Sequence, residues 1–239
     1  MTRLTTCPDD QSVAERAAAD IERTLAQARE QRGVAHLALS GGTTPGRTYE
    51  LLGANAAGLA DVHVWFADER CVAPEDAESN YRLVRETLLE AAAIEPERVH
   101  RMPGELGPGT GAESYELELL ATLGEDPVPP VLDVIVLGIG PDGHVASLFP
   151  GARTLDPPEE AICQGVSDSP KPPPERITLS LAVLRAARSC VLLATGASKA
   201  DAVDAMFGPP THHVPASLLR RERLTVIVDD AAAPAGPPP

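Results

Sequence analysis

A carboxylate and an imidazole lie two residues apart in Gly138-Ile-Gly-Pro-Asp-Gly-His144, at Asp142 and His144. An imidazole exchanges protons near neutral pH, so the pair suits acid–base chemistry. Taken alone, the triplet reads first as a loop histidine beside a capping aspartate. Its setting changes that reading. Val134-Ile-Val-Leu137 runs straight into the turn. An unbroken apolar run bounded by glycines suits a parallel strand covered on both faces, and in such sheets ligands bind beyond the carboxyl ends of strands.

Three more segments place polar groups at the ends of expected strands. Ser40-Gly-Gly-Thr-Thr-Pro45 follows one strand and opens a helix. The glycines Gly41 and Gly42 let backbone approach a ligand, Thr43 and Thr44 offer hydroxyls, and a helix start favours a phosphate. The segment matches neither a Walker motif nor Gly-x-Gly-x-x-Gly, and a plain tight turn before a capped helix explains it equally well. Asp68-Glu69-Arg70 ends another strand and reads either as a solvated charge cluster or, through Arg70, as an anion contact. Ser79 is the expected N-cap of the helix that follows. In Gly196-Ala-Ser-Lys199, a lysine begins a helix, where the dipole disfavours it unless an anion is near. Arg176 opens the strand Arg-Ile-Thr-Leu179, and alone it reads as an edge salt bridge.

The elements that must hold these residues alternate. Strands are expected at 34–39, 62–66, 131–137, 161–166, 176–179, 190–195 and 224–228. Helices are expected at 12–32, 45–52, 79–92, 110–123, 181–187, 199–207 and 216–221, with capping boxes at Ser12/Glu15 and Thr110/Glu113 and a stop at Gly33. This order predicts an α/β fold, Rossmann-like, with a parallel-rich sheet flanked by helices on both faces. Residues 1–233 are expected to form one domain, and the proline-rich end 234–239 a disordered tail.

Composition narrows the partners. The 239 residues carry a formal charge of −15, with two lysines, Lys171 and Lys199, among twenty basic residues. That balance argues against nucleic acid or an anionic membrane as the main partner. No apolar run approaches the roughly 18 residues of a membrane span, and the first ten residues lack a signal-peptide pattern. Cys7, Cys71, Cys163 and Cys190 are scattered, which reads as reduced thiols in a cytoplasmic protein. The adjacent His212 and His213 lack nearby carboxylates or thiols, so no metal site is expected there. No serine lies in a Gly-x-Ser-x-Gly elbow.

Taken together, the segments at 40–45, 68–70, 79–81, 138–151, 176–179, 196–200 and 215–219 resemble the 6-phosphogluconolactonases, within the superfamily that also holds glucosamine-6-phosphate deaminases. The resemblance spans roughly residues 35 to 230. Arg70 stands where deaminases resembling this chain carry tyrosine. Val145-Ala-Ser-Leu-Phe-Pro150 stands where they carry Ile-Ala-Phe-Asn-Glu-Pro. The chain departs from the lactonase pattern at Thr43, at Val145 and in lacking a tryptophan at 224–228.

The resemblance implies hydrolysis of 6-phospho-D-glucono-1,5-lactone to 6-phosphogluconate, in the oxidative pentose phosphate pathway. It makes His144 the base that activates water, with Asp142 orienting the ring or shaping the site. Asp68 would bind sugar hydroxyls, and Arg70 the oxyanion or the phosphate. Gly41, Gly42, Thr43, Thr44, Arg176 and Lys199 would hold the phosphate. No metal or cofactor is implied, and the partner is the small sugar-phosphate lactone, met by a monomer or weak homodimer. Two rivals are a deaminase or isomerase on the same scaffold, and a sugar-phosphate sensor. A sensor would need a DNA-binding segment, and the residues before Val34 offer one helix without a basic face.

Overall fold

The run Val134–Leu137 is buried along its whole length. It forms all but the last residue of β5 (Val134–Gly138) in a computed structural model that describes residues 2–124, 126, 128–156 and 161–236. Five other strands join it in one sheet: β1 (Arg3–Cys7), β2 (Ala35–Leu39), β3 (Val62–Phe66), β8 (Ser189–Ala194) and β9 (Leu224–Asp229). Their order is β1-β9-β8-β5-β2-β3, and every pairing is parallel. A second sheet is antiparallel, in the order β4-β7-β6, from Asp68–Arg70, Arg176–Leu179 and Cys163–Val166. The helices are α1 (Asp10–Arg32), α2 (Thr43–Gly53), α3 (Asn80–Val84), α4 (Glu90–Ala92), α5 (Pro108–Leu123), α6 (Leu181–Ala186) and α7 (Ala200–Met206). A π-helical turn, Arg85–Leu89, joins α3 to α4. No helix among the described residues is long and apolar enough to cross a membrane.

The order of the main sheet positions the site. The chain moves outward from β2 to β3, then returns past β2 to β5. The loops leaving β2 and β5 therefore part in opposite senses, and a crevice opens beyond their carboxyl ends. The Gly-Gly-Thr-Thr and Asp-Gly-His segments are those two loops.

Several local expectations are corrected. Helix α1 is capped by Asp9, whose carboxylate accepts from the Ser12 N–H at 2.7 Å. Ser12 thus receives the cap instead of providing it, and Gly33 ends the helix at a φ of 79°. Thr110 and Glu113 make no capping box, because Pro108 starts α5 after Gly107. Proline's fixed φ and missing N–H suit the first helical position. The expected helix at 216–221 is two 3₁₀ turns, Pro215–Leu218 and Arg221–Arg223, too short to sustain α-helical bonding. Strand β1 goes unread in the sequence, and β4 reads there as a charge cluster at the end of the preceding strand, not as a strand of its own. Pro237 to Pro239, in the expected tail, lie outside the described residues.

Far from the crevice, histidines pack at the amino-terminal ends of β2 and β3. Trp65 Nε1 donates to His36 Nδ1 at 3.1 Å, so that nitrogen must keep its lone pair. Burial, then the neighbouring His63, lowers the His36 pKa to about 4. The sign follows from the unfolded value near 6.5: below it the unfolded chain binds a proton that the fold refuses. Stability is full above about pH 6.5 and is lost as pH falls toward 4, by about 1–2 kcal/mol after allowing for the ring's partial exposure. We expect a lower urea midpoint at pH 5 than at pH 7.5, and a smaller difference in His36→Asn. An unchanged pH dependence in the variant would exclude His36 as the source.

Candidate active site

The crevice is an open cleft of about 210 Å³. That is below the roughly 300–1,000 Å³ of sites for drug-sized ligands, so it suits a small molecule. The loop after β2 forms its floor. Tyr49 anchors that loop, donating to the Ser40 carbonyl at 2.7 Å and accepting from the Ser40 N–H at 3.2 Å. Gly41 has no room for a side chain, since a Cβ there would lie 1.9 Å from Asn80 Oδ1. Gly42 precedes α2 at a φ of 121°, and no side chain caps the helix. The N–H groups of a first helical turn have no intrahelical partner, and here residues Gly42 to Pro45 line the cleft. Thr44 Oγ1 meets Thr195 Oγ1 at 2.7 Å, joining this loop to the one after β8.

The loop after β5 carries the titratable pair. His144 Nδ1 lies 2.6 Å from Asp142 Oδ1. An ionised carboxylate only accepts, so the proton belongs on Nδ1 and Nε2 keeps a lone pair. Burial pushes the His144 pKa below its ordinary value; Asp142 opposes that shift and Lys171 adds to it. The Asp142 carboxyl also lies below its usual range. Burial raises it, but the His144 hydrogen bond and the charges of His144 and Lys171 outweigh that. The pair packs directly over Gly140. A Cβ at Gly140 would lie 2.0 Å from His144 Nδ1 and 2.3 Å from Asp142 Oδ1.

Strand β4 closes one side. Asp68 and Glu69 are both buried, which corrects the reading of 68–70 as a solvated cluster. Glu69 accepts from the N–H groups of Arg70, Asn80 and Tyr81, each at 2.7 Å, and from Ser79 Oγ at 3.0 Å. It is structural: it ties β4 to the start of α3, which Ser79 caps as expected. Asp68 accepts from Ser147 Oγ at 2.8 Å and from Asn80 Nδ2 at 3.2 Å, and it lines the cleft. Arg70 lines the cleft too, with its guanidinium donating to the Glu78 carbonyl.

Both lysines of the chain line this cleft. Lys199 Nζ donates to the Ile139 carbonyl at 2.8 Å, which compensates its awkward place before α7. Burial, then the Lys171 charge, lowers its pKa. Lys171 is a residue that the motif reading passes over; its ammonium is 3.3 Å from Asp142 Oδ1. The scarcity of lysine is the signal that could have found it. Arg176 lines the cleft but is no edge salt bridge. Its Nε donates to the Pro173 carbonyl, and its Nη2 to those of Lys171 and Pro172, at 3.1–3.2 Å. Its Nη1 takes no part in those bonds. His212 lies 3.4 Å from Asp156 and does not line the cleft. The structure thus gathers all the sequence-derived candidates, Asp142 through its bond to His144, into one place.

That place combines an oriented imidazole, an uncapped helix start and four cations, in a chain whose net charge is −15. It can accept a phosphorylated anion and move a proton beside it.

Known proteins resemble this chain in sequence or in fold. A protein named 6-phosphogluconolactonase from Streptomyces coelicolor is 38% identical, over 94% of this chain and 91% of its own. One of that name from Rattus norvegicus is 39% identical, over 93% and 86%. The solved structure of 6-phosphogluconolactonase from Trypanosoma brucei superposes with a TM-score of 0.87 at 27% identity, over 97% of both chains. A monomeric glucosamine-6-phosphate deaminase shares the fold, at a TM-score of 0.78 and 21% identity over 96% of this chain and 98% of its own. The family described as glucosamine-6-phosphate isomerases/6-phosphogluconolactonase matches residues 8–228, and the chain belongs to it.

Proposed function

We propose that the chain hydrolyses 6-phospho-D-glucono-1,5-lactone to 6-phosphogluconate, in the cytoplasm, with water activated by His144 and without a metal or cofactor. The observation that carries this reading is the 2.6 Å His144–Asp142 bond at a cleft lined by both lysines. Residues 1–233 are taken as one unit, and a hydrophobic cluster that, among the described residues, reaches into both sheets supports that.

In this reading His144 Nε2 takes a proton from water as the water oxygen bonds to the lactone carbonyl carbon. Asp142 holds the ring and steadies the imidazolium. The carbonyl electrons move onto oxygen, giving a tetrahedral oxyanion. As that oxyanion collapses, the bond to the ring oxygen breaks and His144 returns the proton to it. Cations near a developing oxyanion stabilise it most where water is excluded. The start of α2, Lys199 and Arg176 Nη1 hold the phosphate, Asp68 takes sugar hydroxyls, and Arg70 serves the oxyanion or the phosphate.

The test is lactone hydrolysis by purified protein, corrected for the enzyme-free rate, beside ammonia release from glucosamine 6-phosphate. Hydrolysis without ammonia release is expected; ammonia release at a comparable rate would favour the deaminase reading. Lys199→Ala is expected to weaken 6-phosphogluconate binding by about 1.5–3 kcal/mol, the worth of a charge-assisted contact. Unchanged affinity by calorimetry would remove Lys199 from the phosphate site.

A further inference from the structure

The loop between β6 and β7 has a composition that stiffens it. Pro170 and Pro172 to Pro174 surround Lys171, and each proline ring fixes its own φ. Ser169 pins the loop from inside: its hydroxyl donates to the Lys171 carbonyl at 2.8 Å, and its N–H donates to the Pro174 carbonyl at 3.0 Å. Arg176 pins it from outside through the carbonyls of Lys171, Pro172 and Pro173. Three carbonyls gripped by one guanidinium leave the loop little freedom. The Lys171 side chain leaves this rigid base and reaches Asp142, from a different sheet and a different loop.

We propose that Lys171 is a positioning residue for the His144–Asp142 pair: its ammonium shares Asp142 Oδ1 with the imidazole and fixes the carboxylate against the ring. Arg176 is the clamp that keeps Lys171 within reach. The inference rests on the reading of the cleft as a hydrolase site, and it adds a third member to the proton-handling group.

The geometry limits what Lys171 does. Its Nζ is 3.3 Å from both Asp142 Oδ1 and His144 Nδ1. Nδ1 carries a proton when Asp142 is ionised, so the ammonium bonds the carboxylate. One carboxylate oxygen then takes two donors, and rotation of the carboxyl group away from the ring costs both bonds. The ammonium has a second effect. Asp142 favours the charged imidazole, and Asp68 adds to that from β4. Lys171 opposes both at short range, while Phe149 packs on the ring at 4.7 Å with the Arg176 guanidinium 5.6 Å from its centroid. Lys199 is a further cation on the cleft wall. Lys171 therefore adds to burial in favouring the neutral ring, against the pull of Asp142 and Asp68.

The test uses Lys171→Gln and Lys171→Arg, at a side chain 40% exposed, where neither change threatens the fold. Two readouts are taken: titration of the His144 ring by NMR, and the pH profile of hydrolysis with kcat and KM separated. In Lys171→Gln the ring is expected to titrate about half a pH unit higher, a shift of the size set by a partly exposed charge pair. The acid limb of kcat/KM should move by the same amount, and kcat should fall about tenfold as orientation is lost, with KM little changed. Lys171→Arg should restore most of both. An unmoved titration would overturn the proposal. So would a rise in KM and a loss of 6-phosphogluconate affinity without a pH shift, which would make Lys171 an ordinary anion ligand. The NMR titration needs no turnover. If the wild type fails to hydrolyse the lactone, the hydrolase reading fails, while the titration still decides whether Lys171 governs the pair.

Discussion

His144→Asn should fold, bind 6-phosphogluconate and hydrolyse the lactone about 10² to 10⁴ times more slowly, the factor typical of a lost general base. Asparagine keeps the loop polar and removes the group that titrates. The phosphate contacts proposed above lie on other loops, so product affinity measured by calorimetry should survive. The wild-type rate carries its own signature. Burial places the His144 pKa below its ordinary value near 6.5. The ring is then neutral and active at pH 7, and the rate declines only as pH falls through that lowered value. The lactone also opens unaided in water, so an enzyme-free control accompanies each pH. Near wild-type activity in the variant would sink the mechanism. Activity lost to a chelator and restored by a divalent ion would sink the metal-free claim separately.

The second large effect is expected at a residue with no side chain. In Gly140→Ala the new methyl group meets the His144–Asp142 pair at 2.0–2.3 Å, far inside contact distance. Either the imidazole or the carboxylate must leave its place. Misplacement of a reacting group by about 1 Å costs on the order of 10² in rate, so hydrolysis should fall at least that far. Overpacking of this kind costs about 1–3 kcal/mol of stability, which a domain of this size tolerates. Gly109→Ala is the control, because nothing lies within 4 Å of a Cβ there. It should leave rate and folding unchanged. Equal activity in the two variants would show that the pair does not need its close packing on Gly140.

These two residues also show how far the sequence can be read. The strand Val134–Leu137 was legible because a strand buried on both faces requires an unbroken apolar run. The convergence of the loops at 40–45, 138–144 and 196–199 was legible because parallel strands present their carboxyl ends on one side. Asp68–Arg70 was not legible as a strand: three charged residues carry no alternation, and only the pairing with Arg176–Thr178 makes them one. Glu69 resembled surface charge because three of its four donors, Ser79 Oγ and the N–H groups of Asn80 and Tyr81, lie ten to twelve residues further along the chain. Arg176 was singled out as an anion contact, but its grip on three carbonyls depends on a loop path that no pattern encodes. Lys171 sits among prolines, where composition suggests a joint and not a site.

The four free thiols belong to this same packing. Cys7, Cys163 and Cys190 are buried and Cys71 is half-buried. Burial raises all four pKa values, to about 11 for Cys71 and about 12 for Cys190. Only the thiolate attacks alkylating reagents, and at pH 7 a group of pKa 11 is ionised in about one molecule in ten thousand. The folded chain is therefore slow to alkylate, and an opened chain is not. Cys190 lies on β8 in the middle of the main sheet and Cys7 on its edge strand β1. Their relative labelling rates form a native clock that separates fraying at the margin from opening of the centre, without a probe being added.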